Sequence, residues 1–306
     1  MRNRFLTATA TALALALAGC AATAPMGETP TLRAETPPPG AIPGPGLWRV
    51  ADADTTIYLF GTVHALPPDT LWFDERVQRA FDSSGKLVTE IDIAEMAAQG
   101  QNLMAAGMLP EGQTLRGLMS AENRAEYEAA LTTLGLPLEA LDRMEPWFAA
   151  MTLSLLPLLQ AGYEAESGVD MALTAKAGGK ERGALETIEE QIALFDTLPM
   201  AAQLKLLDEA VEMVPEAATM LNAMVAEWLE GDAVGLATML NEELDDPVLY
   251  ERLLTQRNAN WAEWIEQRMA TPGTVFMAVG AGHLAGEGSV QEKLEQRGLT
   301  VTRVWK

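Results

Sequence analysis

Histidine and cysteine are the scarce residues of this 306-residue chain, which holds two histidines, His64 and His283, and one cysteine, Cys20. One cysteine excludes a disulfide framework and any site built on several thiolates. Positive charge is scarce as well: 21 Lys and Arg stand against 43 Asp and Glu, a formal net charge of −22. Such a chain repels phosphate backbones, so no nucleic-acid partner is expected. Aromatic residues make up only 6%. No phosphate loop, dinucleotide fingerprint or Ser-His-Asp elbow occurs, and no repeat has a solenoid period. The 16 methionines are scattered through helical segments and read as core filler rather than as a copper or haem surface.

What is present begins with the N-terminus. Arg2 and Arg4 precede an apolar stretch from Phe5 to Ala18, and Leu17-Ala18-Gly19-Cys20 follows. This is a secretory signal, too short and wrongly flanked for a membrane span. Its end resembles a bacterial lipobox, in which the cysteine is acylated and becomes the mature N-terminus. The plainer alternative is an ordinary signal peptide that contains a cysteine, but Cys20 is unique and stands where a lipobox needs it. Residues 1–19 are therefore expected to be a lipoprotein signal peptide. Residues 20–46, with seven prolines after lipidated Cys20, read as an extended tether. Residues 47–306 are expected to form the folded domain. Membrane contact is expected through the acyl chains alone, which anchor by burying methylenes. Ala21, where an inner-membrane retention signal has aspartate, points to the outer membrane, facing the periplasm.

Strand-like runs occupy 47–50, 56–60, 86–91, 183–185, 274–279 and 299–304, and residues 51–54 suit a hairpin turn. Helical spacing governs 121–134, 146–163, 199–229 and 247–269. Pro146 and Pro199 fit helix starts, Gly135 and Gly162 helix ends. The apolar run 147–163 is short for a span and holds Pro157 and Gln160, which favours a buried helix. The expected fold is α/β, or α+β, with a central mixed sheet built from both ends of the chain and a large helical insertion.

Each histidine closes a Gly-x-x-His sequence after a strand: Gly61-Thr62-Val63-His64 and Gly280-Ala281-Gly282-His283. Open α/β sheets bind ligands at the carboxyl ends of their strands, so both imidazoles fall where a site is expected. A lone histidine is more often structural, but the repeated pattern favours a shared role. Two histidines need a carboxylate to make a catalytic metal site. Glu90 is the first candidate, because a carboxylate on a strand buried on both faces is costly unless paired or ligating. Asp92 reads better as a cap for the next helix. Glu186 is a second candidate, equally able to cap the helix starting near Ile188. Arg257 and Asn258 interrupt an apolar helical stripe of Leu253, Leu254, Trp261, Trp264 and Ile265. Arg257 suits either a structural carboxylate partner or an oxyanion, with Asn258 as a further donor. Asp170 reads as favourable charge at a helix start.

Taken in order, Leu47-Trp48-Arg49-Val50, Tyr58 to His64, Glu90-Ile91-Asp92, Gly168-Val169-Asp170, Leu185-Glu186-Thr187 with Gln191, Arg257-Asn258, Gly280 to Leu284 and Gly298 to Val301 resemble the TraB/GumN family, which includes YbaP-like and Tiki-related proteins. Ala285 departs from the proline expected after the His-Leu pair. The resemblance implies an α/β core with a helical insertion. Through its Tiki branch it implies proteolysis dependent on a divalent metal ion, manganese or cobalt; zinc is an alternative that the His and carboxylate residues themselves would suit. It makes His64, His283 and Glu90 the metal or catalytic residues, with Arg257 and Asn258 in support.

The expected function is a metal-dependent hydrolase of the cell envelope acting on a peptide or protein substrate, with Glu90 or Glu186 as general base. The alternatives are a haem- or metal-binding lipoprotein without catalysis, a metal-free esterase using histidine as base, and an accessory protein that retains the site as scaffold.

Overall fold

The computed structural model describes residues 40, 44–93, 103–241, 247–284 and 286–305. The signal segment, Cys20, most of the tether and Ala285 lie outside the described residues.

The domain opens with strands β1 (Leu47–Ala51) and β2 (Thr55–Thr62), joined by a turn in which Asp52 Oδ1 accepts from the Thr55 amide at 2.8 Å. Helix α1 (Glu75–Ser83), capped by Asp74, leads into β3 (Lys86–Thr89). The helical insertion then contributes α2 (Leu115–Leu118), α3 (Ala121–Thr133), α4 (Pro146–Gln160) and α5 (Val169–Lys176). Strand β4 (Glu181–Ala184) returns to the sheet, and α6 (Ile188–Asp196), α7 (Met200–Met213), α8 (Ala217–Glu230) and α9 (Ala233–Asn241) follow. Helix α10 (Pro247–Tyr250) passes through a π-helical stretch, Glu251–Thr255, into α11 (Gln256–Met269). Strand β5 (Gly273–Gly280), a 3-10 turn (Ala281–Leu284), α12 (Val290–Gln296) and β6 (Val301–Arg303) complete it.

The sheet has the order β4-β3-β5-β2-β1-β6. Neighbours are parallel from β4 to β2, while β1 runs antiparallel to β2 and to β6. This is the expected mixed sheet, with strands from both ends of the chain side by side. Both faces are covered, which explains the continuous apolar run of β5. On one face Phe60, Leu87 and Phe276 pack with Phe81 of α1 and Trp228 of α8. On the other, Leu59, Val88 and Met277 pack with Trp261 and Ile265 of α11 and Leu294 of α12. The insertion has its own core around Tyr127, Leu131, Trp147, Leu153 and Leu206. Each such side chain, fully buried, contributes roughly 1.5–3 kcal/mol.

Three expectations are revised. The helix expected over 199–229 is two helices, broken at residues 214–216 around Pro215, whose missing N–H and ring end an α-helical ladder. The helix expected over 247–269 carries the π-helical stretch just before Arg257. Strand β4 lies earlier than expected and at the sheet edge, with Glu181, Arg182 and Ala184 exposed, so its hydrophobic signature is faint. Helix α4 ends at Gln160, with Gly162 at φ 86° beyond it, and packs against α7 and α8. Among the described residues no helix is long and apolar enough to cross a membrane.

Candidate functional site

Strand register brings the site together. Thr89, the last residue of β3, lies beside Ala184 of β4 on one side and Ala278 of β5 on the other, and Thr62 of β2 lies beside Gly280. The residues that leave these four parallel strands are Glu186, Glu90, His283 and His64, in sheet order. All four therefore emerge along one carboxyl edge, where parallel α/β sheets place their ligands. The two turns lie very close at this edge: a Cβ on Gly61 would stand 3.1 Å from Cα of Ala281. Glycine is what allows strand and turn to approach so closely.

Arg257 reaches the same edge from α11. Its Nη2 donates to Glu90 Oε2 at 2.6 Å and to Glu186 Oε2 at 2.8 Å, and its Nε donates to Glu186 Oε1 at 2.8 Å. Its Nη1 donates to His283 Nε2 at 3.0 Å and to the Leu253 carbonyl at 3.2 Å. Glu90 Oε1 accepts the Gly280 amide at 2.7 Å. Gln191 Nε2 bridges Glu90 and Glu186 at 3.2 and 3.0 Å, and Trp261 Nε1 donates to Glu186 Oε1 at 3.0 Å. The Trp261 ring also packs under the guanidinium, 4.8 Å away, and against the His283 ring, 4.3 Å away. Glu90 and Arg257 are 7% and 6% exposed, so each charge needs the other. Burial pushes the Glu90 carboxyl up, but Arg257, the two histidines and the Gly280 N–H outweigh it and hold it down at about 2. Burial acts against the Arg257 charge, and Glu90 and Glu186 more than compensate.

The two histidines have opposite surroundings. His283 is fully buried. Burial and the facing Arg257 charge push its pKa down to about 3, so the ring is neutral near pH 7. A guanidinium can only donate, so His283 Nε2 accepts, and the ring hydrogen sits on Nδ1. Nδ1 donates to Asn258 Oδ1 at 2.6 Å, and Asn258 Nδ2 donates to the Gly288 carbonyl at 2.9 Å. His64 keeps 36% of its side-chain accessibility, and its Nδ1 lies 2.7 Å from Asp170 Oδ2. Burial pulls its pKa down, but the charge and hydrogen bond of Asp170 outweigh this and raise it to about 9, so near pH 7 the ring holds both protons. Helix α5 is docked to deliver Asp170: the Val169 amide donates to the Val63 carbonyl at 2.9 Å, and a Cβ on Gly168 would overlap the His64 carbonyl.

Glu90, Glu186, Arg257 and His283 thus form one connected cluster, with His64 at its margin, close enough for Glu90 and Arg257 to act on its charge. Glu186 does not cap α6; Thr187 does, in a reciprocal box with Glu190. Asn258 presents its oxygen to His283 and spends its amide on Gly288, so it orients the ring rather than facing outward as a donor. Asp170 is the residue that sequence reasoning set aside as helix-start charge. The expectation that Asp92 caps a following helix falls on residues 94–102, which lie outside the described residues.

The donor set, as arranged, does not fit a divalent ion. His283 Nε2 faces a cation, and both oxygens of Glu90 and Glu186 are engaged by Arg257, Gln191, Trp261 and Gly280. Among the described residues, no group of three or more His, Cys, Asp or Glu could hold a metal ion. Arg257 stands where a ligand set of His283, Glu90 and Glu186 would converge.

Fold and site together define an α/β protein with a paired-histidine, carboxylate and arginine centre at the carboxyl edge of its parallel strands. The chain belongs to the TraB/PrgY/gumN family, whose profile matches residues 46–303. It is 27% identical over 271 residues to an uncharacterized protein of Treponema pallidum, covering 82% of this chain and 80% of that one. It is 28% identical over 239 residues to the uncharacterized protein YbaP of Escherichia coli, covering 78% and 87%. More distantly, it is 23% identical over 321 residues to the Metalloprotease TIKI homolog of Amphimedon queenslandica, covering 84% of this chain and 61% of that one. No solved structure matches it significantly.

Proposed function

We propose that this chain is a hydrolase of the cell envelope that cleaves peptide bonds, held at the outer membrane by acylated Cys20. The observation that carries the reading is the convergence of Glu186, Glu90, His283 and His64 on one strand edge, with only His64 open to a ligand. Distant relatives that bear the name metalloprotease support the reaction class. In this reading the buried cluster is a fixed frame. Water adds to the carbonyl carbon while His64, protonated near neutral pH and aimed by Asp170, gives its Nε2 proton to the leaving nitrogen as the C–N bond breaks; the proton released by that water returns to Nε2.

A second reading is favoured by charge. Glu90, Glu186 and Asp170 face one guanidinium and one imidazolium, which leaves an excess negative charge that would attract a cation. A divalent ion there requires Arg257 to release His283 and a carboxylate.

Incubation of the purified chain with a peptide library, read by mass spectrometry, tests both. Cleavage lost in His64→Ala and Glu90→Gln supports the peptidase. Cleavage unaffected by a chelator favours the arginine-held frame; loss on chelation with rescue by Mn²⁺ favours the metal reading. Absence of cleavage in both conditions overturns the proposal.

A further inference from the structure

A small pocket lies between the two Gly-x-x-His turns. Its floor is made by the residues that separate glycine from histidine in each motif: Thr62 and Val63 from the first, Ala281 and Gly282 from the second. Met224 and Val225 of α8 and Leu236 of α9 form its walls. The free space accommodates a water-sized group and no more.

Thr62 is the polar member of this lining. It is 1% exposed, yet its hydroxyl has no hydrogen-bond partner among the described residues. The other buried threonines are satisfied: Thr55 donates to the Thr271 carbonyl at 3.1 Å and Thr89 to the Ile91 carbonyl at 2.7 Å. A buried hydroxyl without a partner is costly, and valine would fill the same shape without that cost. The hydroxyl is therefore kept at a point where it can serve something that enters the pocket. Val63 directly precedes His64 and Gly282 directly precedes His283, so an occupant would lie beside both imidazole-bearing turns.

We infer that this pocket is a substrate subsite that takes a side chain of alanine or serine size, with the Thr62 hydroxyl pairing with that of serine. The inference rests on the peptidase reading and names its selectivity. The apolar walls and limited space reject branched and aromatic side chains. Thr62 can donate and accept, so it discriminates serine from alanine without a charge.

Binding is measured on the full chain labelled with ¹³C-methyl methionine, so that Met224 reports on the pocket whether or not turnover occurs. The probes are N-acetyl-serine amide, N-acetyl-alanine amide and N-acetyl-leucine amide. Saturable shifts of the Met224 signal are expected with the first two, with serine about five-fold tighter, and none with leucine. Thr62→Val should remove the serine advantage and leave alanine binding intact. No Met224 shift with any probe, occupation by water only, or a serine preference that survives Thr62→Val overturns the subsite. If library peptides are cleaved with no preference for a small residue at any position, the subsite falls while the peptidase reading stands. If nothing is cleaved yet Met224 responds as expected, the peptidase reading falls and the pocket's selectivity is supported.

Discussion

His64 Nδ1 and Asp170 Oδ2 meet at 2.7 Å across 106 residues of chain. The contact joins the end of β2 to the first turn of α5, so the open histidine is held by the helical insertion rather than by the sheet that carries it. His283 is held differently, by a neutral amide and a guanidinium. One imidazole is thereby kept charged and the other neutral within a single site, the kind of divergence that separates acid and base roles.

This divergence predicts a peaked stability profile. His64 has its pKa raised from 6.5 to about 9, so its contribution is full below pH 6.5 and is lost as pH rises towards 9. His283 has its pKa lowered from 6.5 to about 3, so its contribution is present above pH 6.5 and is lost as pH falls. Glu90, lowered from 4.5 to about 2, adds a further acid loss below pH 4.5. Denaturant midpoints measured from pH 3 to pH 10 should peak near 6.5. Asp170→Asn should flatten the alkaline limb and leave the acid limb; an unchanged alkaline limb would show that the pair is not formed.

Arg257→Met should be the most damaging single change in the cluster. It leaves buried Glu90 and half-buried Glu186 side by side without their cation, at a cost of about 3–5 kcal/mol. Adding Glu90→Gln and Glu186→Gln should recover part of this loss. Urea unfolding of the single and triple variants checks the order.

Asn258→Asp should convert His283 into a cation near neutral pH, because a carboxylate would then face Nδ1. The ¹⁵N shifts of the ring, followed against pH, report this directly. A ring that stays neutral would show that burial and Arg257 outweigh the added carboxylate.

Gly168→Ala tests the docking of α5. The new methyl has no room beside the His64 carbonyl, so α5 must move and draw Asp170 away. A loss of about 1–3 kcal/mol is expected, together with a fall of the His64 pKa towards 6.5 by NMR titration. Lost stability with an unshifted His64 would separate packing from the ion pair.

The sheet was legible because strands buried on both faces leave apolar runs between turn residues; β5 and β2 are the clear cases, and exposed β4 the faint one. Glu90 was legible for a related reason, since a carboxylate at the end of a buried strand needs a partner. Arg257 could be marked as a buried charge, but not assigned between a carboxylate and an oxyanion, because helical spacing says nothing of what lies across from it. Asp170 was missed for the opposite reason: its local setting, the first turn of a helix, accounts for an acidic residue, and its partner is fixed only by tertiary docking. Gln191 and Trp261 were noted in other contexts, and only the fold shows both binding Glu186.

Strands β2 and β5 are adjacent in the sheet although their sequences lie at opposite ends of the domain. As the chain is synthesised, the insertion can gather its own core around α3, α4 and α7 while the central slot between β3 and β2 stays unfilled. The site comes into being only when β5 enters that slot and carries the Gly280 amide to Glu90. A chain stopped short of β5 would keep the helical core but lack both the Gly280 amide and His283, so the candidate site is assembled late, after the insertion that flanks it.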